Sequence, residues 1–170
     1  MAGAPFIITA ELPPDLAKWA TALRTEHFPP ERNYLSAHVT LFHALPPSCE
    51  SEIKTALATE AAESAPVAGQ IEGIMPLGKG TALKLSSPAM IDIWRNLADR
   101  FHGLLTPQDE HKPRLHVTIQ NKVSPRDAKA LQAELGPTID PHPFRFAGLS
   151  LHIYRGGPWE HVRTYPFRGR

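Results

Sequence analysis

The chain has 170 residues, enough for one domain or one domain of two small lobes. A hydrophobic share of 42% excludes a mainly disordered chain, and a single cysteine, Cys49, excludes an internal disulfide or a Cys-rich zinc site. The net charge of +1 makes no case for nucleic acid by itself, but residues 1–110 hold 8 Lys/Arg against 13 Asp/Glu while residues 111–170 hold 10 against 4.

That asymmetry marks either an anion-binding side or a solvated face. No apolar run is long enough to span a membrane. The N-terminus has no basic n-region and does not read as a signal peptide, so cytoplasm is the expected location.

In chain order, Phe6 to Ala10 is a short apolar, β-rich run and reads as a buried strand. Pro13-Pro14-Asp15 opens a helix in which Leu16, Trp19, Ala20 and Leu23 recur at helical spacing, with Trp19 expected in the core. Pro29-Pro30 closes that unit. Ala37 to Leu41 alternates as a strand, and Glu50 to Ala62 reads as an Ala-rich helix with Ser48 as its cap. Val67–Leu77 and Thr81–Leu85 are strands around the turn Gly78-Lys79-Gly80, which lacks the spacing of a phosphate-binding loop. Pro88 to Leu105 reads as a helix burying Trp94, Thr106 to Pro113 as a polar loop, Leu115 to Gln120 as a strand and Pro125 to Leu135 as a helix. The tail is two strands around Arg155-Gly156-Gly157-Pro158.

This order contains a repeat. His38-Val39-Thr40-Leu41 starts one unit and His116-Val117-Thr118-Ile119 starts another; each is followed by prolines, a helix, a strand, a glycine turn and a strand. The expectation is a β-α-β-β unit present twice, at about 38–86 and 116–167, in one α+β domain of two similar lobes spanning residues 1–170. Composition predicts only about 0.02 copies of His-Val-Thr by chance, yet two are present, at matching positions.

Strand alternation puts Leu115, Val117 and Ile119 on one face and His116, Thr118 and Gln120 on the other. It likewise groups His38, Thr40 and Phe42 away from Val39 and Leu41. If the lobes face each other, two imidazoles and two hydroxyls converge. One imidazole can then take a proton from the attacking oxygen while the other gives one to the leaving oxygen, and the threonines can hold non-bridging phosphate oxygens. That chemistry needs no metal. His38 and His43 fall on opposite faces of a strand, and the remaining histidines show no ligand spacing, so they are expected on surfaces and loops.

On these two motifs the chain resembles the 2H phosphoesterase superfamily, which includes 2′-5′ RNA ligase-like proteins and 2′,3′-cyclic nucleotide phosphodiesterases. The resemblance implies a bilobal α+β fold in which two antiparallel sheets flank a central cleft. It implies metal-independent catalysis with no cofactor, with His38 and His116 as the catalytic pair and Thr40 and Thr118 as the phosphate-binding hydroxyls. The substrate it implies is a nucleotide or RNA end carrying a cyclic phosphate or phosphodiester, acted on by a monomer away from membranes.

Many ligase-like members carry a basic residue two positions after the motif threonine, where this chain has Phe42 and Gln120. Lys122 replaces that charge if the strand extends so far, and Phe42 stacks on a base. Tyr154 shares a face with Ser150 and His152, and either borders the cleft or packs within the last hairpin. An alternative to an enzyme stays open, a protein of the same fold that binds RNA ends or nucleotides without turnover.

Overall fold

The computed structural model describes residues 3–170. β1 (Phe6–Glu11) is buried on both faces as far as Ala10. α1 (Pro14–His27) begins with a proline, which fits a first turn whose N–H needs no partner. β2 (Val39–Leu45) carries the first motif. α2 (Glu50–Glu63) follows a tight turn at Pro47–Cys49, so Ser48 lies inside that turn and is not the cap; Cys49 holds the cap position without a side-chain bond.

The hairpin β3 (Val67–Pro76) and β4 (Thr81–Ser86) comes next. A Cβ at Gly80 would collide with the Gln120 carbonyl oxygen, so only glycine lets these backbones approach. α3 (Pro88–Arg100) is capped by Ser87, whose Oγ accepts from the Met90 N–H. It stops at Arg100 rather than Leu105, and Gly103 turns the chain at φ 85°. β5 (His116–Gln120) carries the second motif, and α4 (Pro125–Leu135) is capped by Ser124. An unexpected strand, β6 (His142–Phe146), precedes β7 (Gly148–Tyr154) and β8 (Trp159–Pro166).

The strands form two antiparallel four-stranded sheets, in the orders β2-β1-β7-β8 and β5-β4-β3-β6. Each motif strand is therefore an edge strand. β2 lies in the first sheet while β3 and β4 lie in the second, and β5 lies in the second while β7 and β8 lie in the first. Each sequence unit thus contributes to both sheets.

One continuous apolar cluster joins Ile8 and Leu149 of the first sheet, Leu83 and Val117 of the second, and Leu57 and Leu97 of α2 and α3. Trp94 is buried as expected, whereas Trp19 is 36% exposed and meets His142 of β6 edge-on. Among the described residues no helix is long and apolar enough to cross a membrane.

Both motif strands break register immediately after the threonine. On β2, Thr40 pairs with Thr9 but Phe42 pairs with Ile8; on β5, Thr118 pairs with Ala82 but Gln120 pairs with Thr81. Two residues on the motif strand thus oppose one on its neighbour, the count of a β-bulge, and a bulge re-aims the side chains beyond it. The same irregularity recurs at the same place in both sheets.

Candidate active site

His38 immediately precedes β2, and His116 is the first residue of β5. The Nδ1–H of His38 donates to the Ser36 carbonyl at 2.8 Å, and that of His116 donates to the Arg114 carbonyl at 2.5 Å. Each ring bonds the carbonyl two residues upstream, which fixes the tautomer and leaves Nε2 unprotonated in the neutral ring. His142, which opens β6, makes the same bond to Asp140, so this geometry follows from a histidine at a strand start. What sets His38 and His116 apart is where the strands bring them.

His116 stands near enough to His38 for its charge to bear on that imidazole. Burial first, and then the nearby charges of Arg24, His152 and His116, lower the His38 imidazole to about 4, against the opposing pull of the Ser36 carbonyl. His38 is therefore neutral at pH 7. Its ring lies 4.6 Å from the Trp159 ring. Thr40 and Thr118 are both half-buried, and no hydrogen bond within the described residues engages either hydroxyl.

Beyond the bulges, expectation and structure part. Phe42 is fully buried, with its ring 6.1 Å from Trp94 and 5.7 Å from Phe101, so it is a core residue that cannot meet a base. Gln120 is also turned inward; its Oε1 accepts from the buried Thr81 hydroxyl at 2.9 Å, and it does not reach the cleft. Lys122 does not continue β5, which ends at Gln120. It takes a left-handed φ of 60° with its N–H on Asn121 Oδ1 at 2.9 Å. It nonetheless lines a cavity that Tyr154, 43% exposed, also lines.

Four contributors emerge only in the fold. Arg24 of α1 is 2% exposed and has no carboxylate partner among the described residues. Its guanidinium donates to Asn33 Oδ1, to the Leu35 carbonyl at 3.0 Å and to the Thr118 carbonyl at 2.7 Å. It thus ties α1 to the segment leading into His38 and to the strand of His116. Burial pulls it down to about 10, so it stays a cation at neutral pH.

His152, Trp159 and His161 come from the last hairpin. Together with Thr9, Glu11 and His38 they line a cavity of about 310 Å³. His152 Nε2 bonds Thr9 Oγ1 at 3.1 Å, and burial, then the neighbouring His161, lowers it to about 4. Among the described residues no group of three or more His, Cys, Asp or Glu is arranged to hold a metal ion.

The profile of the 2′-5′ RNA ligase superfamily matches residues 12–158. The chain belongs to the 2′-5′ RNA ligase superfamily. Solved structures share the fold. TT0787 of Thermus thermophilus superposes with a TM-score of 0.68 at 15% identity, over 98% of this chain and 99% of that one. E. coli LigT complexed with 3′-AMP gives 0.65 at 14% identity over 96% and 98%, and LigT complexed with NADP+ gives 0.63 at 13% over 98% and 99%. At such identity the likeness is one of fold. No curated protein sequence matches the chain.

Within this 2′-5′ RNA ligase superfamily member, the missed residues left uneven traces. Ser150, His152 and Tyr154 share a strand face in the sequence, so the alternation that singled out Tyr154 also contained His152. Arg24 left no trace, since it sits on a helix whose other face is apolar and is buried only by tertiary contacts.

Proposed function

We propose that the protein is a metal-independent phosphoesterase that uses His38 and His116 to hydrolyse or transfer 2′,3′-cyclic phosphate or 2′-5′ phosphodiester ends of nucleotides or RNA. The observation that carries this reading is the pair of equivalent imidazoles, each anchored through Nδ1 with Nε2 left open, each two residues from an unengaged threonine hydroxyl. That donor and acceptor set matches in-line displacement at phosphorus.

In the hydrolytic direction, His38 Nε2 takes a proton from water as the water oxygen bonds phosphorus. The bond from phosphorus to one ribose oxygen breaks, and protonated His116 gives its Nε2 proton to that oxygen. The Thr40 and Thr118 hydroxyls donate to the non-bridging oxygens as their charge grows. The buried cation of Arg24, near enough to His38 to bear on its imidazole, favours an anion beside that ring. His38 is assigned as base because its surroundings keep it unprotonated, and in the reverse transfer the two imidazoles exchange roles.

The test is turnover of a panel of 2′,3′-cyclic nucleotides and short cyclic-ended RNAs in excess chelator, with His38→Ala and His116→Ala alongside. Each substitution is expected to slow turnover by roughly 10²- to 10⁴-fold. Undiminished activity in both variants would overturn the assignment, and tight binding without turnover by the folded wild type would favour the non-catalytic alternative.

A further inference from the structure

A second cavity, of about 600 Å³, adjoins the one beside His38, and Tyr34 and Leu35 line both. Its wall carries Arg24, Arg32 and Lys122 against a single carboxylate, Glu31. Neither Arg32 nor Lys122 has a carboxylate partner among the described residues. Three large apolar side chains are exposed among those residues, and two of them, Tyr34 at 60% and Tyr154 at 43%, face this space.

The walls are held open by backbone devices. Gly157, at φ 153°, lets the last hairpin turn approach the Tyr34 ring so closely that a Cβ there would stand 3.3 Å from it. Lys122 is the one described non-glycine residue with positive φ, a conformation that costs energy and is kept by the Asn121 side chain. Unpaired cations interleaved with exposed aromatic rings, adjoining the cavity beside His38, are the elements that hold a single-stranded nucleotide by its backbone and its base.

We propose that this cavity holds the nucleotide unit on the 5′ side of the reacting end, with its phosphate between Arg32 and Lys122 and its base against Tyr154. The preferred substrate is then an oligonucleotide of at least two nucleotides, not a cyclic mononucleotide. The inference rests on the phosphoesterase reading for the identity of the reacting end, but its own prediction concerns binding.

The experiment measures equilibrium binding of cytidine 3′-phosphate, cytidine 3′,5′-bisphosphate and the dinucleotide CpCp. It uses the wild type, Arg32→Ala/Lys122→Ala and Tyr154→Ala, with melting temperatures confirming that the variants are folded. CpCp is expected to bind at least about tenfold tighter than the 3′-phosphate, with the bisphosphate between them. The double variant is expected to erase the advantage of the bisphosphate, and Tyr154→Ala the further advantage of CpCp.

Equal binding of all three ligands overturns the proposal, as does an unchanged order in the double variant. A bisphosphate that binds as tightly as CpCp overturns it too, because the site would then take a phosphate alone. Turnover of cyclic 2′,3′-CMP and of cyclic-ended CpC by the wild type is measured in parallel. Turnover with equal binding removes the subsite and leaves the phosphoesterase; the expected binding order without turnover of either cyclic CMP or cyclic-ended CpC removes the phosphoesterase and leaves the subsite.

Discussion

Arg24 is a buried cation held by neutral acceptors and by the face of the Phe28 ring 4.3 Å away, and such a charge is tolerated where its hydrogen bonds are good and an anion is due nearby. Lysine retains the charge but lacks the planar fork that spans Asn33, Leu35 and Thr118 together. Arg24→Lys is therefore expected to lower the melting temperature and to reduce kcat by about tenfold or more, as the segments of His38 and His116 lose register. Steady-state kinetics beside thermal melts check this, and an unchanged kcat would count against Arg24 as a positioning residue.

His38 carries a prediction of its own. Held at about 4, it remains an available base well below the usual histidine range, so kcat/KM should fall on the acid side near pH 4 rather than near 6.5. Stability has a matching sign. His38 and His152 are both lowered in the folded chain, so the unfolded chain binds more protons between about 6.5 and 4. Stability from these groups is present above 6.5 and lost as pH falls through that window, and His152→Asn should flatten the fall in melting temperature there.

At the scale of elements, the bulges decide which side chains reach the cleft. Alternation along Ala37–Leu41 and Leu115–Gln120 grouped each motif histidine with its threonine. It then assigned Phe42 and Gln120 to the wrong side, because period-two reasoning cannot see an inserted residue. Phe42→Ala should accordingly act as a core truncation, costing about 3–5 kcal/mol in denaturant unfolding. β6 went unseen for a related reason: Pro143 argues against a strand, yet β6 is an edge, where a missing N–H is tolerated.

The loop read as polar between Thr106 and Pro113 holds a second such case in Asp109, which is 2% exposed. Burial raises its carboxyl, but the His43 ring and the backbone N–H groups of His43 and Ala44 outweigh that and hold it below its usual 3.8. It pins the loop to β2 just past the bulge. Asp109→Ala leaves those N–H groups without their acceptor and should cost about 2–4 kcal/mol, read by the same denaturant unfolding. The contribution is present above the usual carboxylate value and lost as pH falls below it.

At the scale of the molecule, the two-sheet architecture was implied by the family resemblance that the repeated His-Val-Thr carried, and each copy lies at the start of an edge strand of a different sheet. The exchange of strands between the sheets was not legible, since each β-α-β-β unit looks self-contained along the chain while its hairpin joins the opposite sheet. That exchange matters for function: neither sequence unit by itself assembles a sheet with a motif strand beside its own hairpin. Arg24, reaching from α1 to Thr118, fastens the two motifs across the same divide.

On the proposed mechanism the two motifs act in one turnover. The most direct measurement is kcat/KM on a cyclic-ended RNA, in excess chelator, for His38→Ala, His116→Ala and the double variant. If the imidazoles work as a unit, the double variant should be about as slow as either single one. Losses that multiply, or a single variant with wild-type turnover, would contradict it.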